Sequence, residues 1–580
     1  MPSFREPPFF LNFARELLGF WAASAKPPSG GLYHCLRDDG SVYDARTRHL
    51  VSSTRLVVQF AWAITHDVPP LPAPAPTWRA LLDSCVRFLR DRHYVPSTGG
   101  YKWVVNVDDD AENAATVVTS GGSSCAAVPA APPAENGDDS NRSYGLCFAL
   151  LAFSTAHAAG VDGMRALVDQ VTETLTTRFW EAPHGLYADE ASPDWSVTDR
   201  YRGQNANMHA VEAHMAAYAA TRDALHLHRA RTIAHAMCVR QAALVDAATG
   251  CGPLVYEHYA SDWSAPDLEY NKDKPDDRFR PFGFQPGHLF EWAKLLVQLD
   301  ALGVEDADGL PAAWRLPTAR RFFDAALRGW DSARGGGFVY SMAPTPALPI
   351  CNGLKYKWVQ TEGAAAAVLL AHAAGVGDDA RRFYLAWFDV IMQHFWTHFV
   401  DHTHGSIFRV LTADLKAVDD LKCPPGKVDY HATGLCYDAF AAFSRAVPVR
   451  AVNPTAMARP GGAYSHATVA GGLVFVSGQL PIAPDGTKLN TEPFDVQARA
   501  VLANVRNALE GAGSSVKRLA HVRVYITDVA NWAAFNSIYE EWLDRSVEHA
   551  AQRPARAVVP VPTLHHGFLV EIEATAAASS

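Results

Sequence analysis

Gln204-Asn-Ala-Asn-Met-His-Ala-Val-Glu-Ala213 is the stretch on which the fold turns. Asn205, His209 and Glu212 are spaced four and three apart, so they share one helix face, while Met208, Val211 and Met215 form the adjoining apolar stripe. Working outward, Gln285-Pro-Gly-His-Leu-Phe-Glu-Trp292 repeats the design: Pro286-Gly287 mark a helix start, and His288 and Glu291 share a face. Lys427-Val-Asp-Tyr-His-Ala-Thr-Gly434 places His431 at a third start, and Trp358 with Glu362 makes a further i, i+4 pair. The spacing predicts three amphipathic helices, each presenting an imidazole from near its N-terminus.

The same period of three and four recurs over Thr77 to Arg90, Tyr144 to Ala159, Ala380 to Phe399 and Tyr430 to Arg445. Strand-like alternation is rare before residue 447. This order of helix, loop and helix predicts an all-α domain over 1–447, a closed ring of helical hairpins. Residues 111–140 interrupt it with an Ala/Ser/Gly/Pro-rich stretch, expected to be a surface insertion. Residues 448–460, punctuated by Pro448, Pro454 and Pro460, read as a linker. Beyond it the pattern changes. Gly472 to Gly478, Val522 to Thr527 and Phe568 to Ala574 read as strands, with helices over Val496–Ala512 and Trp532–Leu543 between them. Residues 461–577 are therefore expected to form a separate, small α+β domain, and the chain is multidomain.

Composition narrows the function. The 580 residues are 48% hydrophobic and 19% charged, with net charge −10, which gives no basic footprint for nucleic acid. No uncharged apolar run reaches the roughly 18 residues that a bilayer span needs. Nine scattered cysteines without a Cys-x-x-Cys pair, and an N-terminus lacking a leader pattern, predict a cytoplasmic protein with reduced thiols. No His-Glu-x-x-His, phosphate-binding loop or nucleophile elbow is present, so neither a metal site nor a cofactor is expected. Of 24 histidines most must be structural; His394, His398, His402, His404, His565 and His566 are read so.

Helix starts carry partial positive charge, which disfavours imidazolium and keeps a histidine able to accept a proton. A carboxylate on the other ring nitrogen fixes the tautomer and pushes the pKa back up. A base tuned this way, with a second group to protonate oxygen, is what removal of a proton beside a sugar carbonyl requires.

Five stretches carry a family resemblance: Ser53 to Phe60, Asn205 to Ala213, Gly287 to Trp292, Trp358-x-x-x-Glu362 and Lys427 to His431. Residues 1 to about 445 resemble the N-acylglucosamine 2-epimerase superfamily, which includes mannose and sulfoquinovose isomerases and cellobiose 2-epimerase. The resemblance implies an (α/α)6 barrel with a monosaccharide pocket at its mouth. It implies His431 and His288 as the acid/base pair, with His209 and Arg55 holding and polarising the oxygens of an enediolate. Asn205, Trp358, Glu291, Glu362 and Tyr144 would line the pocket, and Arg278 or Arg280 would reach the far end of the substrate. The segment around His431 is closer to the monosaccharide isomerases than to the disaccharide epimerases, favouring a mannose–fructose type aldose–ketose isomerase. A hexose or N-acylhexosamine 2-epimerase is the alternative.

Gly462 to His466, Val476 to Pro481, Gln497, Asn504-Val505, Pro554-Ala-Arg556 and Glu571-Ile-Glu573 make the C-terminal domain resemble the Rid (YjgF) enamine/imine deaminase family. The resemblance implies a trimer with a site in each subunit cleft. There Arg556 would clamp the carboxylate of a 2-imino acid and Glu571 would position water, while Tyr464, Ser477, Gly478 and Asn536 shape the cleft. Val558 replaces a cysteine common in the family. A reading of another class makes the barrel a sugar-binding module, trimerised by a ligand-sensing Rid domain.

Overall fold

The computed structural model describes residues 2–23, 30–107, 140–275, 277, 280–302, 312–424, 426–444, 449–544 and 553–578. The insertion expected over residues 111–140 lies outside these except for Ser140, as does Arg278. The chain forms two compact units that divide between Phe443 and Ser444, each with its own apolar core.

The first unit is helical. Its elements are α1 (Pro7–Ala23), α2 (Leu50–Thr65), α3 (Trp78–Phe88), α4 (Ser143–Ala158), α5 (Met164–Arg178) and α6 (Gln204–Thr221). Then follow α7 (Ala224–His235, continued through a π-helical stretch), α8 (Pro286–Ala301), α9 (Arg315–Leu327), α10 (Lys357–Ala371), α11 (Asp378–His398) and α12 (Tyr430–Ser444). Helices α2, α4, α6, α8 and α10 pack in succession, and α3, α5, α7, α9 and α11 each back one of them. Helix α12 joins the ends of this series: Tyr430 stacks on Trp62 of α2, and His431 bonds Glu362 of α10. Helix α1 backs α12 through Phe10 against Phe443. Such alternation of inner and outer helices is the arrangement expected of an (α/α)6 barrel.

One expectation needs correcting. The inner helices are not amphipathic. Helix α4 is buried almost all round from Ser143 to Ala156, and α6 buries Met208, His209, Val211, His214 and Met215 alike. An inner helix touches outer helices on one side and the barrel interior on the other, so it has no solvated face. Amphipathicity belongs to the outer layer, as in α3, where Trp78, Leu81, Leu82, Cys85 and Val86 are buried against exposed Arg79 and Arg87.

Short antiparallel ladders set the inner-helix starts. Thr47–His49 leads into α2, Asn141–Arg142 into α4, Arg202–Gly203 into α6 and Lys355–Tyr356 into α10. Their partners are Val104–Asn106, Glu190–Ala191, His258–Tyr259 and Val410–Leu411. A ladder immediately before a helix fixes its entry direction, so side chains of the first turns are aimed by paired backbone rather than by a free loop.

The second unit carries β1 (Arg450–Val452), β2 (Ala467–Ala470), β3 (Leu473–Gln479), β4 (Leu519–Ile526), β5 (Ala555–Pro560) and β6 (Val570–Ala577), in the sheet order β1-β2-β3-β6-β4-β5. Only the β4–β5 pair is parallel. Helices α13 (Phe494–Gly511) and α14 (Trp532–Asp544) cover one face. The segment read as a linker over 448–460 is in part structural. Arg450–Val452 pairs with Ala467–Val469, and Val452 and Met457 are buried in this core. A three-residue strand is too short to show period-two alternation in sequence.

Candidate active site

Arg55, Tyr144, Asn205, His209, His288, Glu291, Trp358 and His431 line one small cavity, with Pro281, Gln285, Tyr340 and Lys427. These residues come from α2, α4, α6, α8, α10 and α12, chiefly from the first turns that the ladders aim.

All three histidines make the same contact. Nδ1 of His209 lies 3.1 Å from Oε2 of Glu212, Nδ1 of His288 lies 2.9 Å from Oε2 of Glu257, and Nδ1 of His431 lies 2.7 Å from Oε1 of Glu362. A carboxylate accepts only, so each pair favours the proton on Nδ1, and a neutral ring then turns Nε2 outward as an acceptor; Nδ1 of His288 also lies 2.9 Å from the Gln204 amide nitrogen. Burial holds His209 down to about 4 against the opposing pull of Glu212. Burial, then the charges of Arg55 and Lys294, put His431 well below its ordinary value.

The i+3 pairing expected for His288 with Glu291 does not form. Glu257, from the loop before the Pro286 helix start, takes that place, and the Gln204 amide donates to Glu257 (3.0 Å) while accepting from Trp292 (2.7 Å). Glu291 instead points toward the layer between α6 and α10, with Oε1 3.7 Å from Nδ1 of His209. Both of its carboxyl oxygens are buried without a hydrogen-bond partner among the described residues.

Under the cavity lies a carboxylate layer held by one lysine. Lys294 Nζ is 2.7 Å from Oε2 of Glu362. Glu212 also accepts from the Tyr430 hydroxyl. Burial alone would raise Glu212, but the His209 hydrogen bond and the charge of Lys294 outweigh it and hold the carboxyl at about 2. Burial raises Glu362, with Lys294 opposing. The donor atoms of His209, Glu212 and Glu291, and those of Glu291, Glu362 and His431, lie within 4.8 Å of one another. That spacing admits a cation, and the cation the chain itself places beside them is the Lys294 ammonium.

Arg55 is clamped between the rings of Phe148 and Tyr430, 4.5 and 4.9 Å from their centroids, and donates to the Tyr144 hydroxyl at 3.3 Å. The indole of Trp358 lies 5.0 Å from the His288 ring and 5.7 Å from that of His431. Gly287 makes this possible, because a Cβ there would sit 2.3 Å from the indole. Arg280 is engaged elsewhere, stacked 3.9 Å over Tyr201 and bonded to Glu190.

In the second unit the expected residues separate into two groups. Arg556 donates to Asn536 at 2.8 Å and stacks on Tyr539, on the face covered by the helices. Glu571 pairs with Tyr525 and alternates with buried Val570 and Ile572, so it faces the opposite side. Its carboxylate fills the space over Gly478, where a Cβ would approach Oε1 to 2.0 Å. Burial and Glu573 raise the Glu571 carboxyl. Ser477 donates to the Ser465 carbonyl, and Tyr464 is half-exposed. A cleft holding Arg556 and Glu571 together is not formed within one chain, because they lie on opposite faces and two strands apart.

A two-layer helical unit with carboxylate-supported imidazoles around one cavity points to a class: a sugar isomerase or epimerase. Residues 31–118 and 123–435 match the N-acylglucosamine 2-epimerase (GlcNAc 2-epimerase) family, and the chain belongs to it. A D-mannose isomerase of Marinomonas mediterranea is 37% identical over 438 residues, covering 75% of this chain and 98% of that protein. A crystal structure of D-mannose isomerase superposes with a TM-score of 0.64 at 37% identity, covering 76% of this chain and 99% of the other. Residues 455–578 match the Endoribonuclease L-PSP family. There the putative reactive intermediate deaminase TdcF of Escherichia coli K12 is 36% identical over 119 residues, 20% of this chain and 89% of that protein.

Proposed function

We propose that the first unit interconverts an aldose and a ketose of the mannose–fructose type through a 1,2-enediol, without a cofactor. The observation that carries this is the set of three imidazoles around one cavity, each with Nδ1 held by a carboxylate. In the open-chain sugar, Nε2 of one of the His431/His288 pair takes the C2 proton, and the C2–H electron pair becomes the C1=C2 bond. Return of that proton to C1 gives the ketose; return to the opposite face of C2 gives the epimer. Arg55 offers a fixed cation to the developing enediolate oxygens, which is worth most in a cavity from which water is excluded.

The relatives named D-mannose isomerase favour the ketose outcome. Incubating the chain with mannose and identifying the product decides it: fructose is expected, and glucose in its place makes the enzyme a 2-epimerase. Unchanged sugar across a panel of aldoses and ketoses rules out both and leaves the sugar-binding reading.

For the second unit the reading is hydrolysis of small 2-imino acids in a homotrimer. The division of Arg556 and Glu571 between opposite sheet faces supports assembly, since a neighbouring copy can bring one group to the other. A cytoplasmic location belongs to the same reading.

A further inference from the structure

The helical unit holds a second, larger cavity beyond the carboxylate layer. Its volume is about 330 Å³, within the range of small-molecule sites, about 300–1,000 Å³. The sugar cavity is built chiefly from the first turns of the inner helices, whereas this one is built from later turns. Trp62 of α2, Met215 and Ala219 of α6, Gln298 of α8, and Tyr437 and Asp438 of α12 line it. Lys294 and Glu362 form its inner end. Glu362 holds His431 as well, so the two cavities share one carboxylate.

The wall is largely apolar and aromatic. Tyr437 stacks on His66 with centroids 4.5 Å apart and meets Trp62 edge-on at 5.6 Å, while Leu151, Met215 and Leu302 add aliphatic surface. Two polar groups in it have unused capacity. Among the described residues the half-buried Asp438 carboxyl has one hydrogen bond, from the Gln298 amide at 2.9 Å, and no ion pair. The Tyr437 hydroxyl is buried, in a residue 5% exposed, with no hydrogen-bond partner among the described residues. A buried polar group left unpaired is costly, and a ligand that bonds to it removes the cost. The other carboxylates are already engaged, Glu212 by His209 and Tyr430, and Glu362 by His431 and Lys294.

Charge decides what such a cavity would hold. The inner helices run their C-terminal ends toward this side, and a helix C-terminus carries partial negative charge. Burial pushes the Asp438 carboxyl up to about 7, with the Lys294 charge opposing. An arriving cation therefore meets helix ends, a carboxylate and the faces of Trp62 and Tyr437, and each favours it. An anion would find the Lys294 ammonium already bonded to Glu362.

We propose that this cavity is a second ligand site, which takes a small organic ammonium with an apolar body. The ammonium donates to the open Asp438 oxygen, with the Tyr437 hydroxyl as a further acceptor, and the body lies along Trp62, Met215 and Leu302. The sugar reaction proposed above uses neither Asp438 nor Tyr437, and occupancy here is measured without sugar turnover. The two readings therefore stand or fall separately.

The test is equilibrium dialysis of the full-length protein at pH 8, where Asp438 is largely ionised, against 2-phenylethylamine. Saturable binding of one amine per chain is expected. The neutral 2-phenylethanol, with the same body, is expected to bind at least about tenfold more weakly, because it lacks the charge-assisted hydrogen bond. Asp438→Asn, which removes the charge, and Ala219→Phe, which fills the cavity, are each expected to weaken the amine by a similar factor. His288→Ala, on the sugar side, is expected to bind it as the wild type does. Thermal transitions verify that each variant is folded. No saturable binding to the wild type overturns the proposal, as does equal affinity for the alcohol, a comparison that needs no variant. Unchanged binding in folded Asp438→Asn and Ala219→Phe, or binding lost in His288→Ala, places the amine elsewhere and overturns it too.

Discussion

Each imidazole lining the cavity is held by a carboxylate, and Glu257 shows how much of the proposed chemistry rests on that pairing. Glu257→Gln replaces an acceptor of the His288 Nδ1–H with an amide that can turn its N–H to the same atom, freeing the opposite tautomer. We expect kcat on the sugar to fall by about 10²-fold with KM little changed, measured by steady-state kinetics. Acid behaviour follows from His209 and Glu212. His209 titrates near 4 when folded and near 6.5 when unfolded, so between these values the unfolded chain binds more protons. Glu212, held at about 2, behaves the same way below about 4.5. These two groups therefore remove stability as pH drops from about 6.5 toward 2, while the raised Asp189, Asp438, Glu291 and Glu362 carboxyls contribute in the opposite sense. The urea midpoint of His209→Phe relative to the wild type is predicted to rise as pH drops from about 6.5 to 4; a difference that stays constant over that window contradicts the His209 assignment. The histidines themselves were legible in sequence through their helix-start spacing. Glu257 was not, because a loop carboxylate carries no periodicity, and its distance from His288 closes only in the folded ring.

Among the elements, the inner helices and the ladders before them carry the precision of the site. Gly287 is the tightest point, where α8 begins against the face of Trp358. A methyl group there would displace an indole wedged beside the His288 and His431 rings. Gly287→Ala is predicted to keep the fold, since alanine favours a helix, and to lower kcat/KM at least tenfold, as a small misplacement near reacting groups does. Wild-type kinetics in a folded Gly287→Ala would show that the contact does not position the site. The helices were readable from their three-and-four period, and their boundaries came close: Trp532–Asp544 against an expected Trp532–Leu543. Their all-round burial was not readable, because a second helical layer is a tertiary fact. The strand Ala555–Pro560 escaped for another reason. It is an edge strand bounded by Pro554 and ending at Pro560, and proline argues against a strand everywhere except at a sheet edge.

At the scale of the whole molecule there are two separately cored units, to which we assign separate chemistry. Arg556→Ala is predicted to abolish hydrolysis of 2-iminobutanoate and leave sugar turnover unaltered, with both activities followed on one preparation. Loss of both activities would mean that the units are energetically coupled. The division into an all-α and an α+β unit was legible from the change in hydrophobic period. The fate of residues 450–452 was not, since their strand is defined by its partner Ala467–Val469 rather than by its own pattern.

The central claim is that neutral imidazoles on carboxylate supports move the proton between sugar carbons. It is tested most directly by mannose turnover in His431→Ala, verified as folded by its thermal transition. The account predicts that fructose formation falls by about 10²–10⁴ relative to the wild type. Turnover equal to that of the wild type would contradict it.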